Sequence, residues 1–280
     1  MSGAARGADR IEAAFAAARA EGRAALMPYM MAGYPNPDAS LEVARAYVDS
    51  GADLIELGVP FSDPLADGPV IHAAATAALE AGTRLHEVLE ICRDVASRVP
   101  VVLMVYANMI LAGGGPEAFG RRAAAAGAAG VIVPDLPLGE DEPVREALAA
   151  AGLAVVPLVA PTTLGERRER ICRIATGFVY VVAEVGTTGE RDRVPEHLQE
   201  LVEDVRSHAD VPVAVGFGIS GPEHAAAVGR VADGVIIGSK LVRLAGEAGP
   251  DGAPAAVGGF LAETAAALRA DRGGTGAAAG

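Results

Sequence analysis

Eight short apolar runs punctuate the chain, at residues 24–31, 54–59, 101–106, 131–134, 153–159, 178–183, 211–215 and 234–238. Each is nearly continuous rather than alternating, the pattern of a parallel strand covered on both faces. Between them, apolar residues recur at helical spacing. Ile11, Phe15 and Ala18 form one stripe, in a helix over 9–21. Leu41, Ala44 and Val48 form another, in a helix capped by Asn36, begun by Pro37 and ended by Gly51. Further helices are predicted over 72–97, 116–126 and 140–151, and one to about 175 with Thr163 and Glu166 at capping-box spacing. The remaining helices run from about 194 to 207, start at Ser220 and Glu223 (again capping-box spacing, with Pro222 in the first turn), start near 239, and cover 253–270.

Eight strands, each followed by helical sequence, close most simply into a single (β/α)8 TIM barrel, an α/β fold. The helix over 9–21 precedes the first strand and is extra to that scheme. Residues 1–272 are assigned to this one domain, and 273–280 to a Gly- and Ala-rich tail predicted to be disordered. A doubly wound sheet is the competing arrangement, but its Gly-x-Gly-x-x-Gly after the first strand is missing.

In such a barrel, substrate meets the C-terminal ends of the strands and the loops that follow. Alternation puts Leu54, Glu56 and Gly58 on the inner face of the second strand, and Ile55 and Leu57 toward the helices. A carboxylate inside the barrel top is costly unless hydrogen-bonded, protonated or used. Apolar surroundings would raise the Glu56 pKa toward the range of proton transfer. The competing reading is a structural glutamate, but no basic residue lies close in sequence to pair with it. The loop Pro60-Phe61-Ser62-Asp63-Pro64-Leu65-Ala66-Asp67-Gly68-Pro69 follows at once, and its prolines and glycine exclude helix and sheet interior. Asp67 is a candidate for orienting a substrate N–H or hydroxyl, set against a plain turn role beside Gly68. Asp63 fits the turn role better.

Glycine clusters follow the last three strands: Gly186-Thr187-Thr188-Gly189, Gly216-Phe217-Gly218-Ile219-Ser220 and Gly238-Ser239. They gather backbone N–H groups and helix N-termini on one side of the barrel, a cradle suited to a phosphate monoester.

Composition narrows the choice. A formal charge of -13 opposes nucleic acid and membrane surfaces as partners, and leaves anion binding to backbone N–H groups. Cys92 and Cys172 lie too far apart for a zinc knuckle and read as buried small hydrophobes in a reducing compartment. No secretion signal or 18-residue apolar run is found, so a soluble cytoplasmic protein is expected. His72, His86, His197, His208 and His224 fall on or near helices, mostly on polar faces, without metal-ligand spacing. No serine or cysteine nucleophile motif occurs. The one lysine, Lys240, follows the last strand rather than standing in one, which disfavours Schiff-base chemistry.

The segments Glu56-Leu57-Gly58-Val59 with the prolyl loop, Tyr106-Ala107-Asn108, Pro134-Asp135-Leu136-Pro137, Gly216-Phe217-Gly218-Ile219 and Gly238-Ser239 together resemble the tryptophan synthase alpha subunits, over roughly residues 9–270. The first string is highly specific. The resemblance implies retro-aldol cleavage of indole-3-glycerol phosphate to indole and glyceraldehyde 3-phosphate, with Glu56 and Asp67 catalytic. It puts phosphate contacts on Gly189, Gly218, Gly238 and Ser239, backed by Gly216. Indole-pocket positions fall on Tyr29, Met104, Ile132 and Tyr180, and Thr188 helps order Asp67 on closure. It further implies no cofactor in this chain, and a beta subunit partner in an alpha2-beta2 complex, whose pyridoxal phosphate (PLP) joins indole to serine. The prolyl loop near Asp63 is expected to face that partner and to couple with the loop at 186–194. Tyr34 stands where many relatives have Asp, Glu184 where they often have Arg or Leu, and Thr187 where they often have Val; these departures bear on loop closure. Two other readings stay open. An isomerase or decarboxylase of a related phosphorylated substrate would want a basic residue at a strand end. A degenerate barrel that only binds and activates its partner would tolerate loss of Glu56 or Asp67.

Overall fold

The apolar runs become parallel strands: β1 (Ala25–Met31), β2 (Ile55–Gly58), β3 (Val101–Met104), β4 (Gly130–Ile132), β5 (Ala154–Val156), β6 (Leu158–Val159), β7 (Val179–Val182), β8 (Val213–Gly216) and β9 (Gly234–Ile237). They belong to a computed structural model that describes residues 6–182, 196–216 and 218–270. The predicted tail at 273–280 lies outside the described residues. Neighbours run β5-β4-β3-β2-β1-β9-β8-β7-β6 without reversal, which a doubly wound sheet would show. β5 and β6 are two pieces of the single predicted run over 153–159, parted at Pro157, which has no N–H for a ladder bond. The sheet therefore curves round into a near-closed parallel barrel.

Eleven helical segments accompany the described strands: α1 (Gly7–Ala20), α2 (Pro37–Asp49), α3 (Pro69–Glu80), α4 (Leu85–Val95), α5 (Ala107–Leu111), α6 (Gly115–Ala125), α7 (Glu142–Ala150), α8 (Gly165–Arg173), α9 (Glu196–His208), α10 (Pro222–Gly229) and α11 (Ser239–Ala270). Asn36 caps α2 as expected, accepting from the Ala39 N–H at 2.8 Å. The expected helix over 72–97 is two helices, because Gly82 takes φ 90° and turns the chain between α3 and α4. α11 contains both expected C-terminal helices, broken at Gly249 with φ 69°. Neither capping box forms. α8 starts after Leu164, while the Thr163 hydroxyl accepts the Ala160 N–H within a turn. α10 starts after Gly221, without a side-chain cap. Both are corrections, since Thr and Ser also make local turn bonds that compete with capping. The short α5 was not predicted.

Two apolar layers result. Ile55, Leu57, Val101, Leu103 and Val131 face outward and pack under the helices. Leu54, Met27, Val102, Ile132, Ala154, Phe178 and Ile236 face inward, joined by Ile11, Phe15 and Ala18 of α1. The extra helix thus plugs the barrel floor, with the Phe15 and Phe178 rings 5.7 Å apart. Beside it, Arg23 grips Asp53 with its two terminal guanidinium nitrogens, at 2.6 and 2.9 Å, and Asp53 also accepts the Leu26 N–H. This ties the starts of β1 and β2 together at the closed end. Cys92 and Cys172 are free and buried, as expected. No helix among the described residues is long and apolar enough to cross a membrane.

Candidate active site

Strand register brings the inward-facing residues of the open end into one ring. Tyr29 of β1 pairs in register with Glu56 of β2, and Gly58 with Met104 of β3. Across the barrel, Tyr180 of β7 stands beside Leu158, and Gly216 of β8 beside Ile236. Above them lies a cavity of about 440 Å³. Tyr29, Glu56, Asp67, Met104, Tyr180, Gly216, Gly218, Gly238 and Ser239 all line it. Ile132 does not: it is fully buried in the inner layer, in register with Met104. Thr188 and Gly189, with Glu184 and Thr187, lie outside the described residues.

Lining residues that sequence reasoning missed include Ile71, Leu158, Ile236, Lys240 and Arg243. The inward alternation that revealed Glu56 also marks Ile236 on β9. The two cations carried no motif. A larger hollow of about 860 Å³ lies against the loop after β1 and against α2, α4 and α11, and shares no lining residue with the first. Asp38, Glu42, Glu87, Glu90, Asp94 and Asp251 line it, and those carboxylates would repel a phosphorylated ligand.

Glu56 is 2% exposed, and its Oε2 has no hydrogen-bond partner among the described residues. Burial, then the negative charge of Asp67, pushes its pKa up to about 8. The carboxyl therefore carries its proton at neutral pH. Asp67 is half-buried on the prolyl loop. Burial raises its pKa, while a hydrogen bond from Tyr106 and the nearby charge of His72 pull it back. The two carboxyls thus differ in environment, the condition under which one holds a proton and the other does not. The Tyr29 and Tyr180 hydroxyls are also pushed up, first by burial, and then by Asp67 and Glu56 for Tyr29 and by Glu56 for Tyr180.

Three glycines at the rim serve different ends. A Cβ on Gly58 would lie 2.2 Å from the Tyr29 hydroxyl, and one on Gly216 would lie 2.5 Å from the Tyr180 hydroxyl. Both glycines make room for aromatic walls. At Gly238, an added Cβ would meet nothing nearer than Tyr29 at 3.7 Å, so the protein's own packing does not demand glycine there. Gly238 lies directly before α11, whose first turn begins at Ser239, and Gly218 takes φ 35°. Backbone N–H groups at such a helix start suit an anion.

Elsewhere, His224 is 7% exposed, an exception to the polar-face placement expected of the histidines. No group of His, Cys, Asp and Glu suited to a metal is found among the described residues. Tyr34 packs its hydroxyl against Gly246 of α11, where a Cβ would lie 2.1 Å away.

Comparison with known proteins agrees with this geometry. The family described as tryptophan synthase alpha chain matches residues 15–258. The tryptophan synthase alpha chain of Synechococcus elongatus is 48% identical over 241 residues, covering 85% of this chain and 90% of its own. A Saccharomyces cerevisiae protein named tryptophan synthase is 47% identical over 248 residues, 87% of this chain but 35% of its own length. Tryptophan synthase from M. tuberculosis, solved in an open form with BRD0059 bound, superposes with a TM-score of 0.84 at 38% identity, over 93% of this chain and 98% of that one. A near-closed barrel plugged by an N-terminal helix, a prolyl loop beside an inward glutamate, and similarity along almost the whole domain lead to one assignment: the chain belongs to the tryptophan synthase alpha chain family.

Proposed function

We propose that this chain is a carbon–carbon lyase that cleaves indole-3-glycerol phosphate to indole and glyceraldehyde 3-phosphate. The observation that carries the reading is Glu56, buried with its Oε2 unpartnered among the described residues and facing the same cavity as Asp67. Protonated Glu56 gives its proton to indole C3, producing an indolenine-like cation. The resulting carboxylate takes the proton of the C3′ hydroxyl. The C3–C3′ bond then breaks, its electron pair returns to the ring, and Glu56 regains its proton. Asp67 accepts the indole N–H, a contact that strengthens as positive charge grows on nitrogen. Tyr29, Met104 and Tyr180 hold the indole, with Ile132 supporting Met104 from behind. Gly218, Gly238 and Ser239 receive the phosphate, and the Thr188–Gly189 segment completes the cradle and orders Asp67.

The reaction calls for no cofactor in this chain. Indole passes to a PLP-dependent beta subunit in an alpha2-beta2 complex in the cytoplasm. The yeast relative supports a partner, since the matching segment there is a minor part of a longer chain called tryptophan synthase. Leu65, 86% exposed at the tip of the prolyl loop, is an apolar contact offered to that partner. Replacement tests the roles: Asp67→Asn should lose most of kcat in a folded protein, and unchanged kcat/KM would remove Asp67 from the mechanism.

A further inference from the structure

Tyr106 stands two residues beyond β3, at the N-cap of α5, and is 3% exposed. It lies in one of the segments that carried the family resemblance, and the proposed reaction leaves it without a role. Its contacts run along the prolyl loop. The ring stacks on Phe61 with centroids 5.1 Å apart and planes 27° from parallel. The hydroxyl accepts the Ala66 N–H at 3.2 Å, and it stands near enough to the Asp67 carboxyl to pull that group's pKa down. The support is itself anchored, because Asp135 accepts the N–H of Ala107, the first residue of α5, at 2.8 Å. A loop without regular hydrogen bonding is thereby fixed at both ends by one side chain.

A phenol has one proton to donate. With the Ala66 N–H pointing at its oxygen, that proton goes to Asp67. We infer that Tyr106 is the positioning residue of the site: it clamps the prolyl loop and turns one Asp67 oxygen toward its own hydroxyl, leaving the other for the substrate's indole N–H. The inference rests on the role proposed for Asp67. It predicts that the phenol holds Asp67 ionised against the desolvation of its site. The other titratable groups facing Asp67 are Glu56 on β2, Tyr29 on β1 and His72 on α3.

Tyr106→Phe keeps the stack on Phe61 and removes only the hydroxyl. In the complex with the beta subunit, kcat for indole release should fall roughly 10- to 100-fold with KM within about threefold, the pattern of an interaction serving the transition state. The double variant Tyr106→Phe/Asp67→Asn should be no slower than Asp67→Asn alone, because the two groups act as one unit. Carbon-13 titration of the Asp67 carboxyl needs no substrate, and should show its pKa rising in Tyr106→Phe. Full additivity, or an unmoved Asp67 titration, would overturn the positioning role and leave Tyr106 as packing. If Asp67 titrates as predicted while wild-type protein releases no indole, the clamp stands and the proposed reaction fails.

Discussion

Burial of Glu56 makes a prediction about stability that is independent of substrate. Its carboxyl has a pKa near 4.5 in the unfolded chain and about 8 in the fold. Between those values the folded state holds a proton that the unfolded state has released. Stability then falls as pH rises, by about 1.4 kcal/mol per unit at full difference, and is constant again above the folded pKa. Integrated over the window, this amounts to about 5 kcal/mol as an upper limit, since relaxation and water entry soften real buried charges. Glu56→Gln removes the titration and keeps the shape. The difference in unfolding free energy between variant and wild type should therefore move in favour of the variant as pH rises from about 5 to 8, by at least ~2 kcal/mol. Urea denaturation at pH steps across that range reads it, with equal m-values checking that the denatured states match. Other groups titrate alike in both proteins and cancel, apart from Asp67, which feels the Glu56 charge. A difference that stays flat with pH would refute the claim that Glu56 is buried with its proton. The same variant should have lost indole formation, while wild-type kcat/KM should decline above about pH 8 as free Glu56 ionises.

Arg23→Ala leaves the partly buried Asp53 without its cation at the closed end, and should cost about 2 kcal/mol in urea denaturation while kcat at low temperature stays near wild type. Gly238→Ala should leave the melting temperature unchanged, because space for a Cβ exists. Its KM for indole-3-glycerol phosphate should nonetheless rise about tenfold, a loss of about 1.4 kcal/mol of binding; an unchanged KM would move the phosphate elsewhere. Gly216→Ala, by contrast, should push Tyr180 aside and lower both stability and kcat, and a protein unaffected in either would contradict the observed packing.

What could be read from the chain followed from periodicity and from turn chemistry. Alternation in a strand is rigid, so Glu56 was legible as inward-facing, and a proline-rich loop directly after it marked Asp67. The stripe of Ile11, Phe15 and Ala18 was legible too, although its use as a floor plug required the barrel. Other features depended on atoms distant in sequence. Gly216 read as part of an anion cradle, yet its missing side chain accommodates Tyr180. Gly82 splits a helix and Pro157 interrupts a strand inside stretches whose apolar pattern runs on unbroken. Thr163 and Ser220 had cap spacing, but the helix starts fell elsewhere. Tyr106 stood in a quoted motif without a visible task, because its partners Phe61, Ala66 and Asp67 meet it only through the fold.

The most direct test of the central claim is steady-state release of indole from indole-3-glycerol phosphate by the purified chain, with and without saturating beta subunit. The account predicts indole and glyceraldehyde 3-phosphate in equal amounts, formed faster when the partner is present. A folded chain that releases no indole under either condition would contradict it.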